Sequence, residues 1–196
     1  MKRVLTLALA LALLASTANG DASWPASMFG FQPSATAADP VKPKPAAAMT
    51  DGLTEDWLMQ QPSPEGDAEW RCLTEALYFE ARGESLKGQI AVAEVILNRV
   101  DSPLYPSTVC GVVRQSGGGG CQFSYVCKGK TKMRETAAAD LAGRIARAML
   151  DGAPRVLTDG ATHFHTRSVR PSWSKRFAKT AAIGAHLFYR QPGSRG

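Results

Sequence analysis

Glu80 is the residue in this 196-residue chain best placed for proton chemistry. It closes the run Leu73-Thr-Glu-Ala-Leu-Tyr-Phe-Glu80 and is followed by Ala-Arg-Gly-Glu84. At helical spacing Leu73, Ala76, Leu77 and Glu80 fall on one side, whereas Glu75 turns towards water. Gly83 is the residue expected just past a helix C-terminus. A carboxyl in an apolar wall at that end of a helix has two reasons to keep its proton: poor solvation and the negative end of the helix dipole. A general acid working near neutral pH needs that preparation. The plainer alternative is a Glu80 that reaches solvent or pairs with Arg82. Glu84 would couple to Glu80 on a continuous helix, and Gly83 leaves that open.

Other polar residues fall into recognisable patterns. Glu94 and Asn98 share a helix face at i, i+4, either converging on the same site or forming a solvated surface pair, and Asn98-Arg99 reads as a capping and packing feature or as a hold on substrate. His163 and His165 lie on one face of a strand with Phe164 on the other. With His186 they could form a three-histidine zinc site, although strand histidines also bind substrate oxygens or simply pack. Gln122, Phe123, Tyr125 and Trp173 suit a sugar cleft, where rings stack on pyranose faces and amides bond acetamido groups. Phe123 and Trp173 fit an ordinary core equally well. The glycines at 117–120 are not followed by Gly-Lys-Ser/Thr and no strand leads into them, which excludes a phosphate-binding loop.

The elements that must carry these groups follow from periodicity and punctuation. A first helix is predicted over about 68–82 and a second over 86–100, capped by Ser85 and stopped at Asp101-Ser-Pro. Ile90, Ala93, Leu97 and Val100 form the second helix's buried stripe, widened by Val92 and Ile96. A short helix is expected over 107–115, a tight loop or small hairpin over 121–130, and a longer helix over 135–150 with Leu141, Ile145 and Ala148/Met149 inward. Val156-Leu157 and 161–166 alternate like strands, and 178–189 reads as a strand pair around Gly184. The fold class is α+β: mostly helical, with a small antiparallel β element.

The front of the chain has another character. Lys2-Arg3, an apolar run to Ala15, and Ser16 to Gly20 have the three parts of a secretory signal over 1–20, and the run is too short to span a bilayer. Residues 21–66, rich in proline and alanine, read as a disordered linker; Trp57-Leu-Met59 near its end reads as an apolar remnant in preference to a short docking segment. The catalytic domain is assigned to 67–192, with a tail over 193–196. The chain carries +6, the signal +2, the linker −4, and the part from Asp67 onward +8. Such a basic domain seeks polyanions. No nucleic-acid-binding signature is present, and an exported protein more often meets an anionic envelope polymer; ordinary solubility is the alternative, and charge alone does not decide between them. All four cysteines lie in the basic domain. An even number in an exported chain favours disulfides. Of three pairings, Cys72–Cys110 with Cys121–Cys127 is favoured, worth roughly 4 and 2 kcal/mol on a chain-entropy estimate. A four-cysteine zinc site is a poor reading, because no Cys-x-x-Cys pair exists.

Taken in order, Glu80-Ala-Arg-Gly-Glu84, Gly88-Gln89-Ile-Ala-Val-Ala, Val95-Ile-Leu-Asn-Arg-Val100, Val109-Cys-Gly-Val-Val-Arg-Gln115, Cys121-Gln-Phe-Ser124, Gly160-Ala-Thr-His-Phe-His165, Pro171-Ser-Trp173 and Ile183-Gly-Ala-His-Leu-Phe-Tyr189 carry a resemblance. The chain from Arg71 to Arg190 resembles the catalytic domain of SleB/CwlJ-type cell-wall hydrolases, the spore-cortex-lytic enzyme family. The resemblance implies a lysozyme-like core that cuts peptidoglycan glycan strands between N-acetylmuramic acid and N-acetylglucosamine, in studied members as lytic transglycosylases. It implies that Glu80 is the catalytic acid, and no cofactor or metal. Glu84 is the candidate second carboxylate, and Gln89, Asn98, Gln122, Phe123, His163, His165 and Trp173 are the candidate substrate contacts. A monomer in the periplasm, cell wall or extracellular space, without a retained membrane span, is expected. The rival readings are a zinc-dependent N-acetylmuramoyl amidase built on the three histidines and a wall-binding module without activity.

Overall fold

The computed structural model describes residues 52–117 and 120–194. The expected signal and the linker up to residue 51 lie outside the described residues. Among the described residues six α-helices follow one another: α1 (Glu55–Gln60), α2 (Ala68–Ala81), α3 (Leu86–Val100), α4 (Val109–Val113), α5 (Ser124–Cys127) and α6 (Thr136–Leu150). Strands β1 (Ser116–Gly117) and β2 (Gly120–Cys121) form a minimal ladder, and β3 (His163–Thr166), β4 (Ala178–Ile183) and β5 (His186–Arg190) form an antiparallel sheet in the order β3-β5-β4. This is the expected α+β class. Among the described residues no helix is long and apolar enough to cross a membrane.

Side-chain caps open α2 and α3, the second at the expected Ser85. Asp67 accepts from the Trp70 N–H at 3.0 Å to open α2, and Ser85 accepts from the Gly88 N–H at 3.3 Å to open α3. α3 is buried on nearly every side, with each residue from Ile90 to Ile96 inside. One side of it, with Ile90, Val92, Ala93 and Ile96, joins α2, α4 and α6 in the main core. The other side presents Ala91 and Val95 to Ala161 and Phe188 of the sheet layer. The expected single stripe is therefore too narrow: α3 is the central helix between two layers.

Both favoured disulfides are present. Cys72–Cys110 ties α2 to α4, and Cys121–Cys127 closes a short ring around the start of α5.

Several expectations need correction. The stretch to Gly66, read as linker, contains α1, whose Leu58 is fully buried and which packs on α6. The packed chain thus begins before Asp67. Trp70 continues this contact by donating its indole N–H to the Gly143 carbonyl at 2.9 Å. The 121–130 segment is one helical turn, α5, rather than a hairpin. Val156-Leu157 form no strand, because the Leu157 N–H is taken by the Glu94 carboxylate at 2.9 Å.

Candidate active site

Helix α2 brings Glu80 to its last turn, one residue before the helix ends at Ala81. Glu80 is half-buried in the wall of an open groove of about 740 Å³, lined chiefly by the end of α2, by Ser124 and Tyr125 of α5, and by the loop from Lys128 to Glu135. Burial raises the Glu80 pKa above the ordinary carboxylate range, and the Lys128 ammonium opposes that rise without cancelling it. A carboxyl with a raised pKa beside an apolar face is what the helix spacing led one to expect. Phe79 stacks on Tyr125 at 4.6 Å between ring centroids, making the apolar flank. The Tyr125 hydroxyl is buried and has no hydrogen-bond partner among the described residues. Its pKa is pushed upward, first by burial and then by Glu75 and Glu80. A buried hydroxyl of that kind is equipped to bond an incoming polar group.

Glu84 faces elsewhere. The helix break at Ala81 turns its carboxylate to the β4–β5 turn, where it accepts from the Ala185 N–H at 3.1 Å and lies 3.4 Å from His186 Nδ1. Gly184, at φ +56°, admits it: a Cβ there would stand 1.9 Å from Glu84 Oε2. Glu84 is absent from the groove lining, so the coupling expected for a continuous helix does not arise.

The remaining candidates are placed as follows. Gln89 is buried and donates to the Glu84 carbonyl at 3.1 Å, which braces the α2–α3 corner. Asn98 donates to the Ala161 carbonyl at 2.9 Å, and Glu94, fully buried, accepts from the Leu157 and Thr158 N–H groups and the Thr158 hydroxyl. This pair is neither a surface pair nor part of the groove; it fastens the loop that leads into β3. Phe123 is buried at 2% exposure and meets the Arg99 guanidinium at 5.9 Å, so it is core. Gln122, exposed and one residue earlier, turns its side-chain amide towards the Arg99 guanidinium, 3.2 Å from Nη1. Arg99 itself is fully buried and donates to the Thr162 carbonyl; burial brings its pKa down to about 10.

The β3–β5 register separates the histidines. His163 lies opposite Tyr189 and His165 opposite Leu187, while His186 lies opposite Thr166 and thus on the other face with Phe164. A three-histidine zinc centre requires convergence that this register denies. His163 instead packs against Trp173 and Phe177, at 4.8 and 4.9 Å, and burial with the nearby Arg99 lowers its pKa to about 4. His165 stacks on Tyr189 and approaches Trp173 edge-on. None of His163, His165 or Trp173 lines the Glu80 groove.

Sequence reasoning missed Phe79 and the Lys128–Glu135 wall. Cations at every second position, Lys128, Lys130, Lys132 and Arg134, were the available signal.

The chain is similar to several known proteins. Residues 83–189 match the family model described as Cell Wall Hydrolase. A spore cortex-lytic enzyme of Halalkalibacterium halodurans is 34% identical over 131 residues, 65% of this chain and 36% of that protein. The chain spans between 14% and 36% of the length of the curated relatives it matches. Among solved structures, the catalytic domain of the Bacillus cereus SleB protein is similar with a TM-score of 0.52 and 28% identity, covering 66% of this chain and 94% of that one. The catalytic domain of the germination-specific lytic transglycosylase SleB from Bacillus anthracis matches with the same TM-score of 0.52 and 28% identity, covering 66% of this chain and 100% of its own.

Proposed function

This chain belongs to the cell wall hydrolase family, and from that premise we propose that it degrades peptidoglycan by breaking the glycosidic bond between N-acetylmuramic acid and N-acetylglucosamine. Glu80 is the general acid and then the base. The observation that carries this reading is its half-buried carboxyl, whose pKa burial raises, in the wall of an open groove of about 740 Å³.

Protonated Glu80 gives its proton to the bridging oxygen as that oxygen leaves the muramic anomeric carbon. Positive charge develops at the carbon, and the adjacent acetamido oxygen of the substrate stabilises it. The ionised Glu80 then takes the proton of the muramic 6-hydroxyl while that oxygen bonds the anomeric carbon. The product is a 1,6-anhydro ring, and Glu80 ends protonated as it began.

A hydrolase with two carboxylates needs the second about 5 Å away as nucleophile, or further for an inverting water. Two features favour the single-carboxylate route. Glu84 is committed to Ala185 and His186, and Glu135, the other carboxylate lining the groove, is held by Arg82 at 3.1 Å. The likeness to the catalytic domain of a lytic transglycosylase supports the same outcome.

Digestion of purified sacculi followed by mass analysis tests the reading. Anhydro-muropeptides are expected, and Glu80→Gln should lower their release by about 10²–10⁴-fold. Reducing muropeptides would replace transglycosylation with hydrolysis. Free stem peptides, or undiminished release by the Glu80→Gln protein, would end the assignment.

A further inference from the structure

The groove that holds Glu80 carries charge for which the proton transfer has no use. Lys128, Lys130, Lys132 and Arg134 line it, all exposed, and among the described residues none of them forms an ion pair. Arg82, a fifth lining cation, is already held by Glu135. From Lys128 to Arg134 there is no acidic residue, whereas surface charges of ordinary solubility are interspersed in sign.

These cations stand on a fastened loop. At its start the Lys130 N–H bonds the Tyr125 carbonyl at 3.1 Å, and Gly129 turns the chain at φ +59°. At its end the N–H groups of Arg134 and Glu135 both donate to the Tyr78 hydroxyl, at 3.0 and 3.1 Å. Met133 packs on the main core between them. The ring closed by Cys121–Cys127 lies immediately before the loop. Three ammonium groups and a guanidinium thereby line, from an anchored backbone, the groove that holds Glu80.

We propose that this loop is a subsite for substrate carboxylates, presented by the peptide stems of the glycan strand or, on bare strands, by the lactyl group of muramic acid. The inference rests on the glycosidase reading for its geometry. If Glu80 meets the oxygen leaving a muramic ring, the lactyl ether of that same ring branches off beside the groove and the stem begins there. Stems carry several carboxylates on flexible chains. Lysine ammonium groups, compact and rotatable, suit partners of variable geometry better than a rigid fork would. The cations thus give the groove a preference for charged strands over neutral ones.

The test is sedimentation of full-chain wild-type and K130Q/K132Q/R134Q protein with sacculi freed of phosphate polymers by acid, at low and high salt. Three forms are compared: intact, with carboxylates capped as amides, and stripped of peptide so that lactyl carboxylates remain. The three side chains are exposed and Arg134 is anchored through its backbone, so the melting temperature should be unchanged. The triple variant is expected to bind intact sacculi about ten-fold more weakly at low salt, with a shallower salt dependence. The two proteins should bind capped sacculi equally. A loss confined to intact sacculi assigns the subsite to the stems, and a loss that persists on stripped strands assigns it to lactyl carboxylates. Equal binding of both proteins to every form, or an equal loss on capped sacculi, overturns the proposal. Wild-type protein that binds in the expected pattern yet releases no fragments would overturn the glycosidase reading and leave the subsite standing.

Discussion

Glu80 and His163 are both displaced from their ordinary protonation by burial, with opposite consequences for stability. The folded pKa of Glu80 lies above its unfolded value, so ionising it costs the folded state. That cost is absent below the unfolded carboxylate pKa and grows as pH rises through the folded one. Glu80→Gln is therefore expected to raise the melting temperature at pH 7 and to leave it unchanged near pH 3, as thermal denaturation at the two pH values will show. In the wild-type enzyme kcat should fall on the alkaline side as Glu80 loses its proton. His163 behaves in the reverse sense: the unfolded chain takes up a proton near the ordinary 6.5 that the folded chain refuses until about 4. Stability should fall by on the order of 1–2 kcal/mol across that window. His163→Phe, which keeps a ring against Trp173 and Phe177, should remove that part of the acid loss in melts between pH 7 and pH 4.

Among the elements, α1 most needs an independent check. Leu58 has no exposed surface, and Arg144 of α6 donates to the carbonyls of Leu58 and Gln61 at 3.0 and 2.6 Å. Leu58→Ala should cost about 2–5 kcal/mol in denaturant unfolding, whereas a residue in a linker would cost nothing. The sequence offered little notice of this helix. Three apolar residues among prolines and acids are too few for a period to show, and α1 is stabilised by α6, some eighty residues away, rather than by its own propensity. Helices α2 and α3 were legible because their caps and stripes are local, and α6 because its apolar stripe is. The destination of Glu84 was not, since it depends on where Gly184 places a backbone N–H 101 positions further on. The same holds for Glu94 and Asn98, whose partners lie more than sixty residues away. The partial burial of Glu80 was legible because its apolar neighbours share its own helix face.

The molecule as a whole is a basic domain with its positive charge partly gathered at one groove, and an anionic polymer is the partner that such a distribution favours. Fold class and family follow from motifs spread across its length. Which strand face each histidine occupies does not, because period-two alternation fixes the face only within a strand and the pairing register decides the rest.

The sulfur ring of Cys121 and Cys127 has a bearing on when the protein becomes competent. It sits directly ahead of the cationic loop and spans the turn that supplies Ser124 and Tyr125 to the groove. Thiols kept reduced, as in the cytosol, would leave that turn untethered. Treatment with dithiothreitol should therefore depress turnover of sacculi before it unfolds the helical body, and reoxidation should bring turnover back. On the proposed function, a cell making this chain would be shielded from it by its own reducing interior until the polypeptide reached an oxidising space.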